Sequence, residues 1–148
     1  MNNMNSKYSF KSFTLIEVLV VAAIVMILAT IIIVSTTRSQ DQANNAAAAA
    51  ALVQARNIAA MIYSDENSYE TLCSGGTLND ADYSALKTIE ADVYEKIGQN
   101  PKCYSAKTDY CVQVRLLLGD YFCIDSTGFS GKIDGDYCAD SKKNCSSP

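Results

Sequence analysis

A single long apolar segment near the N-terminus constrains this chain more than any other feature. Residues 15–34 are twenty consecutive positions, and Glu17 is the only charged residue among them. About 20 apolar residues are enough for a helix to cross a bilayer. A carboxylate within such a span costs about 2.5–3.5 kcal/mol at the helix centre and less near an end, so it is a functional candidate that calls for a partner.

The residues around Glu17 follow a recognisable order. Lys7 and Lys11 form a basic leader, and from Ser12 the chain reads Ser-Phe-Thr-Leu-Ile-Glu-Val-Leu-Val-Val. This string resembles the processing site of type IV pilins and pseudopilins. The resemblance implies that a prepilin peptidase cuts between Ser12 and Phe13 and methylates the new amine, which makes Glu17 the fifth mature residue. The family usually has Gly where this chain has Ser12, which is also a small residue.

Two simpler interpretations of the apolar segment are a secretory signal peptide and a plain membrane anchor. A signal peptide has an apolar core of about 7–15 residues, followed by a small-residue cleavage site. This segment is longer, contains Glu17 and has no convincing Ala-x-Ala exit. A plain anchor explains the length but not the spacing from Phe13 to Glu17, so we favour the pilin-like interpretation.

The charges that flank the segment predict its orientation. Lys7 and Lys11 precede it and Arg38 follows it. Because basic residues favour the cytoplasmic side, two lysines in a short leader outweigh one arginine. We therefore expect a single-pass protein of the cytoplasmic membrane with its N-terminus inside. The resemblance implies an extracellular or periplasmic filament after assembly.

Six cysteines lie beyond the apolar segment and none lies before it. An even number of cysteines in an exported region predicts disulfide bonds. The alternative is a metal site, but the chain has no His and no Cys-x-x-Cys pair, so zinc is not expected. The candidates are Cys73, Cys103, Cys111, Cys123, Cys138 and Cys145.

The net charge and the missing motifs exclude several classes of function. Removal of residues 1–12 leaves ten basic and sixteen acidic side chains, a formal charge of −6. This charge disfavours sequence-independent binding to the phosphates of a nucleic acid, so no direct nucleic-acid partner is expected. The chain has no His for general base catalysis, no Gly-rich phosphate loop and no Gly-x-Ser-x-Gly turn. We therefore do not expect an enzyme.

The pattern predicts that the apolar helix continues into the exported region. No Gly or Pro occurs between Phe13 and Gly75, and residues 46–51 are all alanine, the strongest helix former. Apolar side chains then recur with helical spacing and form one face that needs a partner surface. These side chains are Leu52, Ala55, Ala59 and Ile62.

A second helix and a hairpin are predicted further along. The helix is expected over residues 80–97, with Asn79 as its N-cap and Gly98 at its C-terminal stop. Its apolar face has Leu86, Ile89, Val93 and Ile97. Residues 112–118 and 121–125 read as two strands joined by a two-residue type II′ turn.

The predicted register of this hairpin pairs Leu118 with Tyr121. It places Cys123 on the apolar face and Cys111 on the opposite face, which disfavours a bond between them. We expect a disulfide from Cys123 to a residue under the sheet, such as Cys73. We also expect disulfides between cysteines that are close in sequence, Cys103–Cys111 and Cys138–Cys145. Six cysteines allow fifteen connectivities, and the others stay open.

The fold class predicted from these elements is α+β, with a long N-terminal helix on a small antiparallel β-sheet. The resemblance implies this same architecture, since it is the type IV pilin fold. We divide the chain into a leader at residues 1–12, a transmembrane and assembly helix at 13–34, and an exported globular domain at 35–148.

An acidic run near the C-terminus suggests a possible calcium loop, which secretion pseudopilins often carry. Asp134, Asp136 and Asp140 offer oxygen ligands. Their spacing does not fit an EF-hand, and we favour a solvated acidic turn without a metal or other cofactor.

The resemblance implies a filament subunit that assembles with itself and with other pilins. The Glu17 carboxylate would neutralise the Phe13 amine of a neighbouring subunit in the apolar core. A membrane platform and an assembly ATPase would drive polymerisation, for adhesion, surface motility or DNA uptake. The alternatives are a pseudopilin of a type II-like secretion system and a membrane-tethered adhesin or binding module that never polymerises.

Overall fold

The computed structural model describes residues 13–79, 83–139 and 143–145, with only the backbone for residues 32–35. The chain divides into two compact units, Met1–Arg38 and Ser39–Pro148. Helix α1, Leu15–Glu66, contributes residues to both units. The structure confirms the predicted α+β class, with a long apolar N-terminal helix and small antiparallel sheets.

The first unit contains the apolar part of α1. Its described side chains from residue 15 to residue 31 are exposed, and no other described element of this unit packs on them. Among the described residues, α1 is the helix whose length and composition suffice to cross a membrane. Apolar side chains exposed over so many turns are stable in lipid or against other apolar helices, but not in water.

The second unit begins with the amphipathic part of α1. The helix face predicted from the periodicity is confirmed, because its four residues are at most 3% exposed. They are Leu52, Ala55, Ala59 and Ile62, and Ala48 extends the same face by one turn. This stripe is narrow and rich in alanine, so other elements of the core can approach the helix closely.

A small hairpin and a second helix follow α1. Strands β1, Cys73–Ser74, and β2, Thr77–Leu78, pair across a turn at Gly75 and Gly76. Helix α2 is Ser84–Ile97 and buries Leu86, Ile89, Val93 and Ile97, as predicted. The left-handed Gly98, with φ +78°, ends α2 and donates its N–H to the Tyr94 carbonyl at 2.7 Å, which confirms the predicted stop.

The predicted start of α2 is wrong. The helix begins at Ser84 with Tyr83 as its N-cap, and residues 80–82 lie outside the described part of the chain. Asn79 does not cap the helix. Its Nδ2 instead donates to the Thr71 carbonyl at 2.8 Å, so this side chain fixes the loop before the hairpin.

Four antiparallel strands form the main sheet in chain order. They are β3, Lys102–Ser105, β4, Tyr110–Arg115, β5, Tyr121–Asp125, and β6, Ser130–Ile133. Strand β3 lies at one edge, and the β1–β2 segment runs beside it, with the Cys103 N–H donating to the Gly76 carbonyl at 2.8 Å. The sheet is therefore covered at this edge.

The predicted hairpin register between β4 and β5 is wrong. Arg115 pairs with Tyr121 and Gln113 pairs with Cys123, and a five-residue loop replaces the expected two-residue turn. Leu117 and Leu118 lie in this loop and are 43% and 49% exposed, although they resemble strand residues in the sequence. The observed register differs by an odd number of positions from the predicted one, so Cys123 changes face.

The two faces of the sheet are both buried. One face, called here the helix side, joins α1 and α2 in the main core through Val112, Val114 and Ile124. The other face is covered by the C-terminal strap, which we define as the described residues 136–139 and 143–145. Cys111 and Cys123 lie on this strap side in a second buried cluster with Cys138 and Cys145.

All six cysteines form disulfides, as predicted, but none of the three predicted pairings is present. Cys111 and Cys123 are not bonded to each other, as expected. The expectation rested on their lying on opposite faces of the sheet, which is wrong, because they share a face and their Sγ atoms are 3.5 Å apart. The strap brings a partner to each of them instead. The observed pairs are Cys73–Cys103, Cys111–Cys138 and Cys123–Cys145.

Candidate assembly site at the N-terminus

Glu17 and Thr14 form a hydrogen-bonded cap at the start of α1. The Glu17 Oε2 atom accepts the Thr14 backbone N–H at 2.9 Å and the Thr14 hydroxyl at 2.8 Å. The Thr14 Oγ1 atom accepts the Glu17 N–H in return, at 3.3 Å. This is a capping box, in which a Thr at the N-cap and a Glu three residues later satisfy backbone donors reciprocally.

The cap holds the carboxylate in a fixed place within an apolar surface. Phe13, Ile16, Val20 and Val21 line a depression of about 350 Å³ together with Glu17. Phe13 is 81% exposed. The site therefore combines one anionic group with a large apolar surface, which suits a partner that is apolar and carries one cation.

Both Thr14 donors bond to the same carboxylate oxygen. Within the described residues, Glu17 Oε1 accepts no hydrogen bond, so this oxygen keeps its capacity for another donor. In residues 13–38 the only other charged side chain is Arg38, which is almost six helical turns further along the sequence. Residues 13–37 therefore offer Glu17 no cationic side chain.

The structure describes only part of the predicted processing site. Phe13 and Glu17 are described, whereas the leader lysines Lys7 and Lys11 and the residue before the cut, Ser12, lie outside the described residues. The role of Thr14 was missed by the sequence analysis. The Thr-x-x-Glu spacing before an apolar run is the signal that would have identified it.

The carboxylates considered for calcium have partners within the protein. Asp134 accepts the Tyr137 hydroxyl at 2.7 Å, and Asp136 accepts both the Gln113 amide and the Lys102 ammonium. The Asp136 contact raises the pKa of Lys102. Asp140 lies outside the described residues. A cation at Asp136 would have to displace the Lys102 ammonium.

A cysteine cluster was also considered as a metal site. The Sγ atoms of Cys111, Cys123 and Cys145 lie within 4.8 Å of one another and are buried. Metals bind thiolates, and each of these sulfurs is bonded in a disulfide. In the oxidised protein this cluster is therefore structural.

Comparison with known proteins bears on the N-terminal site. Residues 8–33 match the model of the prokaryotic N-terminal methylation motif, and this match includes Phe13, Thr14 and Glu17. No curated protein and no solved structure gives a significant match to the chain. The motif is that of structural, pilin-type subunits, and it implies processing by a prepilin peptidase and assembly between pilins. The chain therefore carries, at residues 8–33, the prepilin motif of type IV pilins and pseudopilins.

Proposed function

We propose that this chain is a non-enzymatic structural subunit of a type IV pilus-like filament. A prepilin peptidase cuts it between Ser12 and Phe13 and methylates the new amine, and the mature subunits then stack through their apolar helices. The observation that carries the proposal is the placement of Glu17, which Thr14 holds within an apolar surface whose described lining residues carry no cation. The methylation motif at residues 8–33 supports the processing step.

The chemistry of Glu17 explains why assembly needs a neighbour. After cleavage the Phe13 amine is a cation, and Glu17 is the single anion of the apolar segment. An unpaired charge in an apolar interior is expensive, whereas a pair is tolerated and fixes the register between chains. The free oxygen Oε1 accepts the amine of an adjacent subunit, while Oε2 keeps its Thr14 cap.

The location follows from the same elements. The lysines Lys7 and Lys11 keep the N-terminus in the cytoplasm, the apolar part of α1 spans the cytoplasmic membrane once, and the second unit is exported. Three disulfides in that unit support an oxidising compartment. Extraction of the subunit from the membrane requires a platform protein and an assembly ATPase, which we propose as partners.

The disulfides also favour a surface pilus over a secretion pseudopilin. Three covalent closures in a small unit suit a filament that persists outside the cell. Adhesion, surface motility and DNA uptake are the roles open to such a filament. A pseudopilin remains the alternative, as does a tethered binding module that keeps residues 1–12.

An intact mass of the protein from its native membrane and from sheared surface material tests processing and assembly together. We expect both fractions to lack residues 1–12, to carry one extra methyl and to have six fewer hydrogens than the reduced chain. A full-length mass in the membrane and none in the sheared material would contradict the filament and favour the tethered module.

A matched pair of variants tests the role of Glu17. Glu17→Ala should leave membrane insertion, disulfide formation and the second unit unchanged, but abolish filaments in electron micrographs of sheared material. Glu95→Gln removes an exposed carboxylate of α2 and should assemble normally. Normal filaments from the Glu17→Ala chain would refute the proposed pairing.

A further inference from the structure

The three disulfides differ in their access to solvent. Two disulfides join the sheet to the strap, and we call their four cysteines the strap cysteines. They are at most 3% exposed, and Cys103 is 1% exposed. Cys73 is the exception, since it is only half-buried. Thiol–disulfide exchange requires a thiolate to reach one sulfur of the bond, so exposure at Cys73 sets this disulfide apart.

A surface pocket of about 450 Å³ borders this disulfide. Its lining includes Cys73, Cys103, Glu70 and the turn residues Gly75 and Gly76. Both glycines have left-handed φ angles, +62° and +88°, and a Cβ atom added at Gly75 would meet nothing within 4 Å. The turn therefore leaves open space beside the disulfide where side chains would otherwise stand.

We propose that Cys73 is a thiol-exchange site for a low-molecular-weight thiol. The incoming thiolate attacks Cys73 Sγ and forms a mixed disulfide, the Cys73–Cys103 bond breaks, and Cys103 Sγ leaves with the electron pair. The leaving sulfur takes a proton from water, so the step exchanges one disulfide for another without a further oxidant. Cys103 Sγ lies 4.0 Å from the Leu72 carbonyl, a weak acceptor for the resulting thiol.

Opening this bond need not unfold the second unit. The segment that carries Cys73 is also held to the edge of the sheet by backbone hydrogen bonds, from Tyr69 to Lys107 at 3.1 Å and from Cys103 to Gly76 at 2.8 Å. By contrast, attack on a strap disulfide requires the strap to lift away from a buried cluster. Cys145 also lines a surface pocket, but it is only 2% exposed, so we expect exchange first at the Cys73–Cys103 bond.

The charge at the pocket selects among thiols. Glu70 lines the pocket, so a residue with an acidic side chain borders the site. A cationic thiol such as cysteamine should thus react faster than an anionic one such as 2-mercaptoethanesulfonate. Because the charge of the exposed Glu70 acts through water, we expect a difference of about fivefold at low salt, which higher salt reduces.

Pulse labelling of the detergent-solubilised full chain tests the site without any substitution. The protein is exposed briefly to cysteamine, quenched with N-ethylmaleimide and mapped by peptide mass spectrometry. We expect Cys73 and Cys103 to become modified before the other four cysteines. Modification of any strap cysteine at the same rate would overturn the proposal.

Two single variants identify the sulfur that is attacked. Cys103→Ser leaves Cys73 as the free thiol, which should form a stable mixed disulfide with cystamine. Cys73→Ser leaves the buried Cys103, which should react far more slowly. Circular dichroism and melting curves establish that both variants are folded, and equal reactivity of two folded variants would contradict attack at Cys73.

A second pair of variants tests whether Glu70 favours cationic over anionic thiols. Glu70→Gln should reduce the ratio of the cysteamine rate to the 2-mercaptoethanesulfonate rate, whereas Glu95→Gln, on the exposed surface of α2, should not change it. An unchanged ratio in the Glu70→Gln chain would refute the part of the proposal that assigns selection to Glu70. Neither result depends on whether the chain forms filaments.

Discussion

The two faces of the four-stranded sheet are buried by different means. On the helix side, apolar residues such as Val112 and Ile124 pack into one core with α1 and α2. On the strap side, the strands present two cysteines and two polar residues, Gln113 and Asp125, and all of them bind the strap. Apolar packing dominates on the first face, whereas covalent bonds and hydrogen bonds dominate on the second.

The polar residues of the strap side show how a short segment can cover a sheet. Gln113 Oε1 accepts the backbone N–H groups of Tyr137 and Cys138, both at 3.1 Å. Asp125 Oδ2 accepts the Cys145 N–H at 2.8 Å. A strap of few residues cannot bury much apolar area, so directional bonds from the strands replace the packing that a helix would provide.

The largest effect should come from removing both strap disulfides. The chain-entropy model gives about 3 kcal/mol for a closed loop of this size, and the two strap pairs are separated by 27 and 22 residues. Replacing all four strap cysteines with Ala should therefore lower the free energy of unfolding by roughly 6 kcal/mol, if the two terms add. Urea unfolding followed by circular dichroism measures this loss.

The Cys73–Cys103 pair provides the control, because its separation of 30 residues gives a similar entropic term. Removing that pair with Ala substitutions should cost about 3 kcal/mol and leave the strap in place. If the chain without strap disulfides were as stable as this control, the strap side would not depend on its covalent bonds.

Substitutions at two neighbouring residues of β5, one on each face, should differ moderately in the free energy of unfolding that they remove. Ile124 faces the helix side and Asp125 the strap side, and both are at most 2% exposed. Asp125→Ala removes the acceptor for the N–H groups of Thr127, Phe129 and Cys145 and should cost about 3 kcal/mol. Ile124→Val removes one methylene and should cost about 1 kcal/mol.

Thermal and urea unfolding of the two variants measures this difference. Asp125→Asn keeps one carbonyl oxygen but turns an N–H group towards another donor, so its cost should lie between the other two. An Asp125→Ala chain no less stable than the Ile124→Val chain would mean that the strap is held without these hydrogen bonds.

The smallest effect concerns a polar group on the helix side. Burial, with a further contribution from nearby Tyr69, raises the pKa of Tyr110 from 10.0 to about 12. The folded state thus favours the protonated phenol. Its contribution to stability is complete below pH 10 and is lost as the pH rises towards about 12.

Tyr110→Phe keeps the ring that packs on Tyr69 at a centroid distance of 4.8 Å but removes the titrating group. Melting temperatures of the native chain and this variant, measured below pH 10 and near pH 12, should therefore converge or cross as the pH rises. A difference that stays constant across this range would show that Tyr110 does not titrate with a raised pKa.

The sequence predicted the helix side far better than the strap side. Apolar residues at helical spacing identified Leu52 on α1 and Val93 on α2, because each element buries one regular stripe. On β4, Gln113 alternates with Val112 and Val114 as an outward-facing polar residue would, yet it is fully buried under the strap. A polar side chain that is buried by specific partners looks like an exposed one in a single sequence.

The predictions of the hairpin register and of the disulfide pairings were wrong for a related reason. Leu117 and Leu118 continue the apolar pattern of β4 beyond its end, so the loop was mistaken for strand and every later face assignment was inverted. At the candidate assembly site, the motif identified Phe13 and Glu17 directly. It did not reveal Thr14, whose role depends on a local hydrogen-bond geometry.

The strap follows the last strand along the chain, and this order has a consequence for biosynthesis. A chain emerges from its N-terminus, so Cys111 and Cys123 appear before their partners Cys138 and Cys145. At about 5–20 residues per second, the fifteen residues between Cys123 and Cys138 take roughly 1–3 s to appear. During that interval two thiols that lie 3.5 Å apart in the finished fold have only each other as close partners on the strap side. Correct maturation therefore depends on timing, since oxidation must wait for the strap or be reversed after it arrives.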